Sequence, residues 1–186
     1  MAEFWDEWGN IAYVVAAFWA FFEGETFVLF AAAAGRATGI INPWVLMISV
    51  WIGSCLGDQL WFTLGRRLGT KALTRWPRAE RRIGHALGMI ERYGTLFILT
   101  FRFIYGVRNV ASVACGMSGI HRARFAVLNF IAAGVWAAAF VSAGWFIGAA
   151  IAEHGFMVVG IGIVAIGALF LAGRALWLRW RTAPVF

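Results

Sequence analysis

The chain has 186 residues, 62% of them hydrophobic and 13% charged, with a mean hydropathy of +0.77 and a net charge of +7. A soluble domain is nearer half apolar and a quarter charged, so this composition excludes an ordinary soluble protein and points to one compact polytopic membrane domain. The basic residues stand beside apolar segments, where they read as topology determinants and lipid-headgroup contacts rather than as a nucleic-acid surface.

The first eight residues, Met-Ala-Glu-Phe-Trp-Asp-Glu-Trp, are acidic and lack the basic n-region of a cleavable signal. The first apolar segment is therefore expected to stay in the mature protein. Five apolar stretches follow: Ile11–Gly35, Pro43–Gly65, Thr95–Gly119, Phe125–Ile151 and Phe156–Trp180. Each suffices for a spanning helix of about 20 residues. Two of them are interrupted. The first carries Glu23 and Glu25 around Gly24, and the third carries Arg102 and Arg108 with Gly106 between. Charges cost about 2.5–3.5 kcal/mol each in hydrocarbon on insertion scales, so they are rare there and usually functional.

Loop charge predicts orientation. Arg66, Arg67, Lys71, Arg75, Arg78, Arg81, Arg82 and Arg92 face only Glu80 and Glu91 in the 66–92 stretch, which should be cytoplasmic. Arg122 and Arg124 put the 120–124 connection on the same side, and Arg174, Arg179 and Arg181 place the C-terminus there. The 152–155 connection has Glu153 and His154 without Lys or Arg and reads as outside. The third segment thus begins and ends on the cytoplasmic face, which requires a re-entrant hairpin. Irregular backbone at membrane depth is tolerated only where protein or water satisfies it, and Gly106 with its two arginines suits that turn.

Ile11–Gly35 mirrors this if it is a hairpin broken at Glu23-Gly24-Glu25 and entered from outside, which puts the N-terminus outside as its acidic residues favour; a plain span would put the N-terminus inside. The expected fold is an all-α polytopic membrane protein: an inverted repeat of re-entrant hairpin plus transmembrane helix, with broken elements meeting near the midplane. An interfacial cytoplasmic helix at residues 70–93 joins the halves, and a C-terminal transmembrane helix follows. Pro77 is expected to start the interfacial helix, with Ile83, Leu87 and Ile90 on one face.

Asp58 is the third acid in apolar sequence, within Gly53-Ser54-Cys55-Leu56-Gly57-Asp58. Gly53 and Gly57 form a small-xxx-small face, so a neighbouring hairpin can approach Asp58 closely. On a regular helix Glu23 and Glu25 would point about 200° apart, and Arg102 and Arg108 about 240° apart. Each pair converges only if its segment is broken. The arginines are expected to bind an anionic group, most plausibly phosphate, through their fork-shaped donors. Glu23, Glu25 and Asp58 would pair with them when the site is empty. A carboxylate displaced by the anion and left desolvated favours its protonated form, which would couple transport to protons.

Other readings of the charges are a structural pairing that holds two hairpins together and, for Arg108, snorkelling to the membrane edge. No zinc motif, P-loop or Gly-x-Ser-x-Gly is present, so an enzyme is not expected. Nor is a metal or another cofactor. Cys55 and Cys115 read as small buried side chains, and His85, His121 and His154 as surface residues. Gly144–Gly148 suits packing within the chain or across a homodimer.

These residues resemble the DedA family, the VTT-domain or SNARE-associated superfamily, which includes eukaryotic lipid scramblases. The resemblance lies in Phe22-Glu23-Gly24-Glu25-Thr26 with Gly35, and in Gly57-Asp58-Gln59 with Leu64-Gly65-Arg66-Arg67-Leu68-Gly69. It continues in Phe101-Arg102-Phe103 through Arg108, in Gly116-Met117-Ser118-Gly119, and in Arg124-Phe125, Asn129 and Trp136. It covers about residues 15–150, and the order and spacing of the pieces make it specific. It implies a bacterial inner-membrane protein with two opposed re-entrant hairpins that moves lipid: undecaprenyl phosphate in some members, phospholipids in others. The family requires two arginines, which carry over to Arg102 and Arg108, and two acids, which carry over to Glu23 and Glu25. Many members separate those acids by a proline-rich loop, and here only Gly24 intervenes. The function expected is thus translocation of an anionic lipid, with membrane lipids as partners. The alternatives are a proton-coupled cation transporter and a structural envelope-maintenance protein.

Overall fold

A computed structural model describes residues 2–22, 24–69, 77–104, 106–158 and 160–161. Every regular element among them is helical: α1 (Ala2–Phe22), α2 (Glu25–Thr38), α3 (Pro43–Leu68), α4 (Pro77–Tyr93), α5 (Thr95–Thr100), a 3-10 turn (Phe101–Phe103), α6 (Arg108–Met117) and α7 (Arg122–His154). Two of these, α3 and α7, are long and apolar enough to cross a membrane. At 26 and 33 residues they measure about 39 and 50 Å, against about 30 Å of hydrocarbon. Most of the expected Phe156–Trp180 segment, with Glu23 and Tyr105, lies outside the described residues.

Local chemistry sets several boundaries. α3 starts at Pro43, which fits the first helical position, and the Asn42 side chain accepts from the amides of Trp44 at 2.9 Å and Val45 at 3.4 Å. Pro77 likewise opens α4. Other boundaries differ from those expected. α1 begins at Ala2 rather than Ile11, and α7 runs from Arg122 to His154 rather than from Phe125 to Ile151. Helix ends follow backbone hydrogen bonds and so extend beyond the apolar stretch.

Both interrupted segments are divided into separate helices. Gly24 separates α1 from α2, and the third segment divides into α5, the 3-10 turn and α6. Close contacts give the direction of each piece. α1 runs parallel to α3, with Ala17 against Gly53 and Phe21 against Gly57. α2 runs parallel to α7, with Leu29 against Gly144 and Ala33 against Gly148. The glycines at 144 and 148 thus pack within the chain. α3 and α7 are antiparallel, pairing Trp51 with Phe130 and Phe62 with Phe125. The arms α1 and α2 must therefore run in opposite directions.

The second broken segment is held in the same way. α6 follows α3 through the Gly65–Val113 contact, and the Arg66 guanidinium donates to the Ile120 carbonyl. α5 follows α7, where Arg124 donates to Thr95 at 2.7 Å. Hence α1 and α6 lie end to end along α3, and α5 and α2 lie end to end along α7.

Two apolar clusters result. One unites Ala16, Ala20, Val28, Ala32, Leu46, Val50 and Trp136 around the first broken segment. The other unites Phe62, Ile83, Ile90, Phe97, Phe101, Cys115 and Phe125 around the second. The buried face of α4 is Ile83, Ala86 and Ile90, with Leu87 packed beside it. This helix therefore sets its apolar stripe against protein.

The outer surface is apolar. Trp44, Ile48, Ile52, Leu56 and Leu60 form an exposed stripe on α3, and Val127, Phe130, Ile131 and Val135 another on α7. Polar side chains are turned inward: Ser54, Asp58, Arg102, Ser112 and Asn129 are fully buried and Arg108 is 4% exposed. Apolar surface of this kind, continuous along helices, suits lipid rather than water.

Candidate functional site

The buried polar residues form one layer between the two apolar clusters. On α3, Leu46 and Val50 belong to the first cluster and Phe62 to the second, with Ser54 and Asp58 between. Ser54 and Asp58 are four residues apart and share a face. On α7, Phe125 and Trp136 belong to opposite clusters, with Asn129 between.

Each arginine enters this layer from an irregular stretch. Arg102 lies in the 3-10 turn and Arg108 opens α6. Between them Gly106 has φ 71°, left-handed backbone that glycine adopts without strain. A Cβ there would meet nothing within 4 Å, so conformation rather than space calls for glycine.

Asp58 is shared between the two guanidiniums. Arg102 Nη2 donates to one carboxylate oxygen, and Arg108 Nε to the other at 2.8 Å. Arg102 Nη1 also donates to Ser54 Oγ at 2.7 Å, and its Nη2 to Asn129 Oδ1. Arg108 Nη2 donates to the Ser54 carbonyl at 3.0 Å. The Asn129 amide is oriented in turn by donating to the Cys55 carbonyl at 3.2 Å. Arg108 does not snorkel; it is buried and paired.

The charge balance is uneven. Among the described residues two buried guanidiniums share one buried carboxylate, and Arg102 Nε and Arg108 Nη1 are buried without a hydrogen-bond partner. Arg108 also stands at a helix N-terminus, where the peptide dipoles add positive potential. Net positive charge held away from water is costly unless an anion compensates it.

The tips of the two broken segments touch. Asn109 donates its side-chain amide to the Phe22 carbonyl at the end of α1, 3.1 Å away. Trp136, fully buried, lies 5.8 Å from the Arg108 guanidinium on one side. On the other, a Cβ at Gly24 would come within 2.8 Å of its Cη2. The structure thus brings Arg102, Arg108 and Asp58 together. Glu25 is half-buried and makes no ion pair among the described residues, and the expected pairing of Glu23 falls outside them. Among the described residues Asp58 alone supplies the acid-to-arginine contact.

Sequence reading missed Ser54, Asn109, Asn129 and Trp136 as site residues. Ser54 had a signal in standing four residues before Asp58. Asn129 had one as an amide inside a long apolar helix. Trp136 was singled out only by the family resemblance, which gave it no role among the eleven tryptophans. Among the described residues no cluster of three His, Cys, Asp or Glu is placed to hold a metal.

A family model for the VTT domain matches residues 22–146, which includes every residue of this layer. The chain is 33% identical to the inner membrane protein YohD of Escherichia coli K12 over 123 residues, covering 66% of this chain and 64% of YohD. It is 29% identical to Protein DedA of the same organism over 133 residues, covering 69% and 60%. It is 28% identical to the inner membrane protein YghB over 128 residues, covering 67% and 58%. The chain therefore spans less than two thirds of the length of these relatives. No solved structure matches. With a domain match over most of its length and relatives named as inner membrane proteins, the chain belongs to the VTT-domain, or DedA, family of membrane proteins.

Proposed function

We propose that this protein is a lipid translocase that moves an anionic lipid, an isoprenyl phosphate or a glycerophospholipid, across the bacterial inner membrane. The observation that carries this reading is the sharing of Asp58 by Arg102 and Arg108, which among the described residues leaves a buried excess of positive charge and unpartnered guanidinium N–H groups. A phosphate fits that deficit, because its oxygens accept several charge-assisted hydrogen bonds. The same excess disfavours a cation carrier.

In this reading the two broken segments are re-entrant hairpins. α1 and α2 enter from outside, α5 and α6 from the cytoplasm, and they form an inverted repeat around α3 and α7. The basic 66–92 stretch supports a cytoplasmic position for α4. The opposed arms and touching tips support a site near the midplane, reached alternately from the two faces as in transporters built from inverted repeats. The lipid-facing stripes of α3 and α7 leave the chains in the bilayer while the headgroup exchanges Asp58 for phosphate on the arginines. Glu25, near the tip and unpaired among the described residues, is the carboxylate that this reading assigns to coupling. No bond is made or broken, so the role is that of a carrier rather than an enzyme.

The test is reconstitution into vesicles with a fluorescent phosphomonoester lipid. The wild-type protein is expected to move the probe between leaflets, and an Arg102→Gln, Arg108→Gln variant that elutes as the wild type on gel filtration is expected to lose that movement. Full movement with the double variant would sink the proposal.

A further inference from the structure

A second polar feature lies outside the arginine layer. Between α4 and the second broken segment is a cavity of about 670 Å³, within the range of small-ligand sites. Arg82, His85 and Met89 of α4 line one wall, and Phe97, Ile104 and Val110 line the other. Gly106 and Val107 of the turn between Arg102 and Arg108 also reach it.

The two faces of α4 divide their work. Ile83, Ala86 and Ile90 are buried in the core. Arg82, His85 and Met89 follow helical spacing on an adjoining stripe, so the cavity wall grades from cationic to apolar along one helix. Arg82 and His85 are exposed, and neither makes an ion pair among the described residues. Opposite them the wall is aromatic and aliphatic. One cationic end and one apolar end suit an amphiphile with a phosphate head, and neither a bare anion nor a neutral hydrocarbon would use both.

We infer that this cavity is a binding site for a single phosphate-headed lipid, with Arg82 and His85 on the phosphate and Met89, Phe97 and Val110 against the first part of the chain. The inference rests on the lipid-carrier reading and deepens it. The site lies against the same turn that presents Arg102 and Arg108 to the buried layer, so it is where cytoplasmic-leaflet lipid is collected before the tips open. Arg82 and His85 are positioning residues for capture.

Binding of dodecyl phosphate to the full chain in maltoside detergent tests this, with inorganic phosphate and dodecanol as comparison probes. Dodecyl phosphate is expected to bind, and Arg82→Gln with His85→Gln to weaken it about tenfold, the scale of losing one charge-assisted hydrogen bond. Val110→Trp, which fills the apolar end, is expected to weaken it similarly. Unchanged affinity in the Arg82, His85 variant overturns the site. Equal competition by inorganic phosphate overturns its assignment to a lipid. If the wild type moves no lipid in vesicles but dodecyl phosphate binding still depends on Arg82 and His85, the carrier reading fails and the lipid site stands.

Discussion

Asn109, the residue after Arg108, donates its side-chain amide to the Phe22 carbonyl, the last residue of α1. This bond ties the two broken segments together directly, and it satisfies a helix-terminal carbonyl that has no intrahelical partner. Arg108 and Asn109 thus face two tasks from one turn, one side chain toward Asp58 and the next toward the opposite tip. Asn109→Ala is expected to cost about 1 kcal/mol, or about 2–4 °C in thermal midpoint for a chain of this size. The Arg108–Asp58 pair should survive it. A thermal melt in detergent measures the shift, and no change would mean that the tips are held elsewhere.

The shared carboxylate makes its two sides unequal. Arg102→Gln leaves Arg108 and Asp58 as a matched pair, whereas Asp58→Asn leaves two buried guanidiniums without a counter-ion among the described residues. Removing the lone partner of a buried charge costs about 3–5 kcal/mol. Asp58→Asn is therefore expected to melt well below Arg102→Gln, or to fail to assemble. Adding Arg102→Gln to Asp58→Asn should recover part of the loss, since it removes one stranded cation. Equal destabilisation by the two single substitutions would contradict the shared arrangement.

Much of this was legible because it depends on what apolar sequence cannot tolerate. Glu23 and Glu25 beside Gly24, and Arg102 and Arg108 on either side of Gly106, disclosed the two breaks, and Asp58 in a glycine-flanked run disclosed a close-packed acid. The remainder depends on partners. Hydropathy gives the depth of Asn129 but not the arginine that it accepts from, and Trp136 looks like any apolar aromatic until Gly24 is seen against it. The apolar stripe of α4 was visible, yet an amphipathic stripe reads the same whether lipid or protein covers it. Side-chain pattern also could not reveal that Glu25 stands apart from the arginines, because its position depends on a turn of only a few residues.

Glycines separate close packing from mere propensity. A Cβ at Gly53 would overlap the Ala17 carbonyl, and one at Gly57 the Phe21 carbonyl, so α1 would have to move. At Gly84 and Gly88 on α4 a Cβ meets nothing within 4 Å. Gly88→Ala is expected to stabilise by up to about 1 kcal/mol through helix propensity. Gly53→Ala should instead destabilise by about 1–3 kcal/mol, as overpacking does. Paired melts of the two variants check the contrast, and a tolerated Gly53→Ala would argue against the α1–α3 contact.

Orientation can be read by labelling. Single cysteines at Gly88 on α4 and at Glu153 near the end of α7 occupy opposite ends of the antiparallel α3–α7 pair. In intact cells a membrane-impermeant thiol reagent is expected to modify the cysteine at 153 and to reach the one at 88 only after permeabilisation. Labelling of both from outside would overturn the cytoplasmic position of the basic 66–92 stretch.

Trp136 offers the sharpest test of contact between the two halves of the site. Its ring stands 5.8 Å from the Arg108 guanidinium, and its Cη2 is the atom that a Cβ at Gly24 would strike. Trp136→Phe removes that far ring and is expected to destabilise by leaving space and weakening the cation–π contact. Gly24→Ala is expected to destabilise by pushing the indole. Made together, the two changes relieve one another, because phenylalanine lacks the atom in collision. The double variant should therefore be more stable than the sum of the single effects by about 1 kcal/mol, within the range of coupling between residues in contact. A nearby backbone contact from Ala20, 3.2 Å from the same Cβ, keeps the recovery incomplete. Strict additivity would show that Gly24 and Trp136 do not touch, and the first tip would then have to close over the arginines by another route.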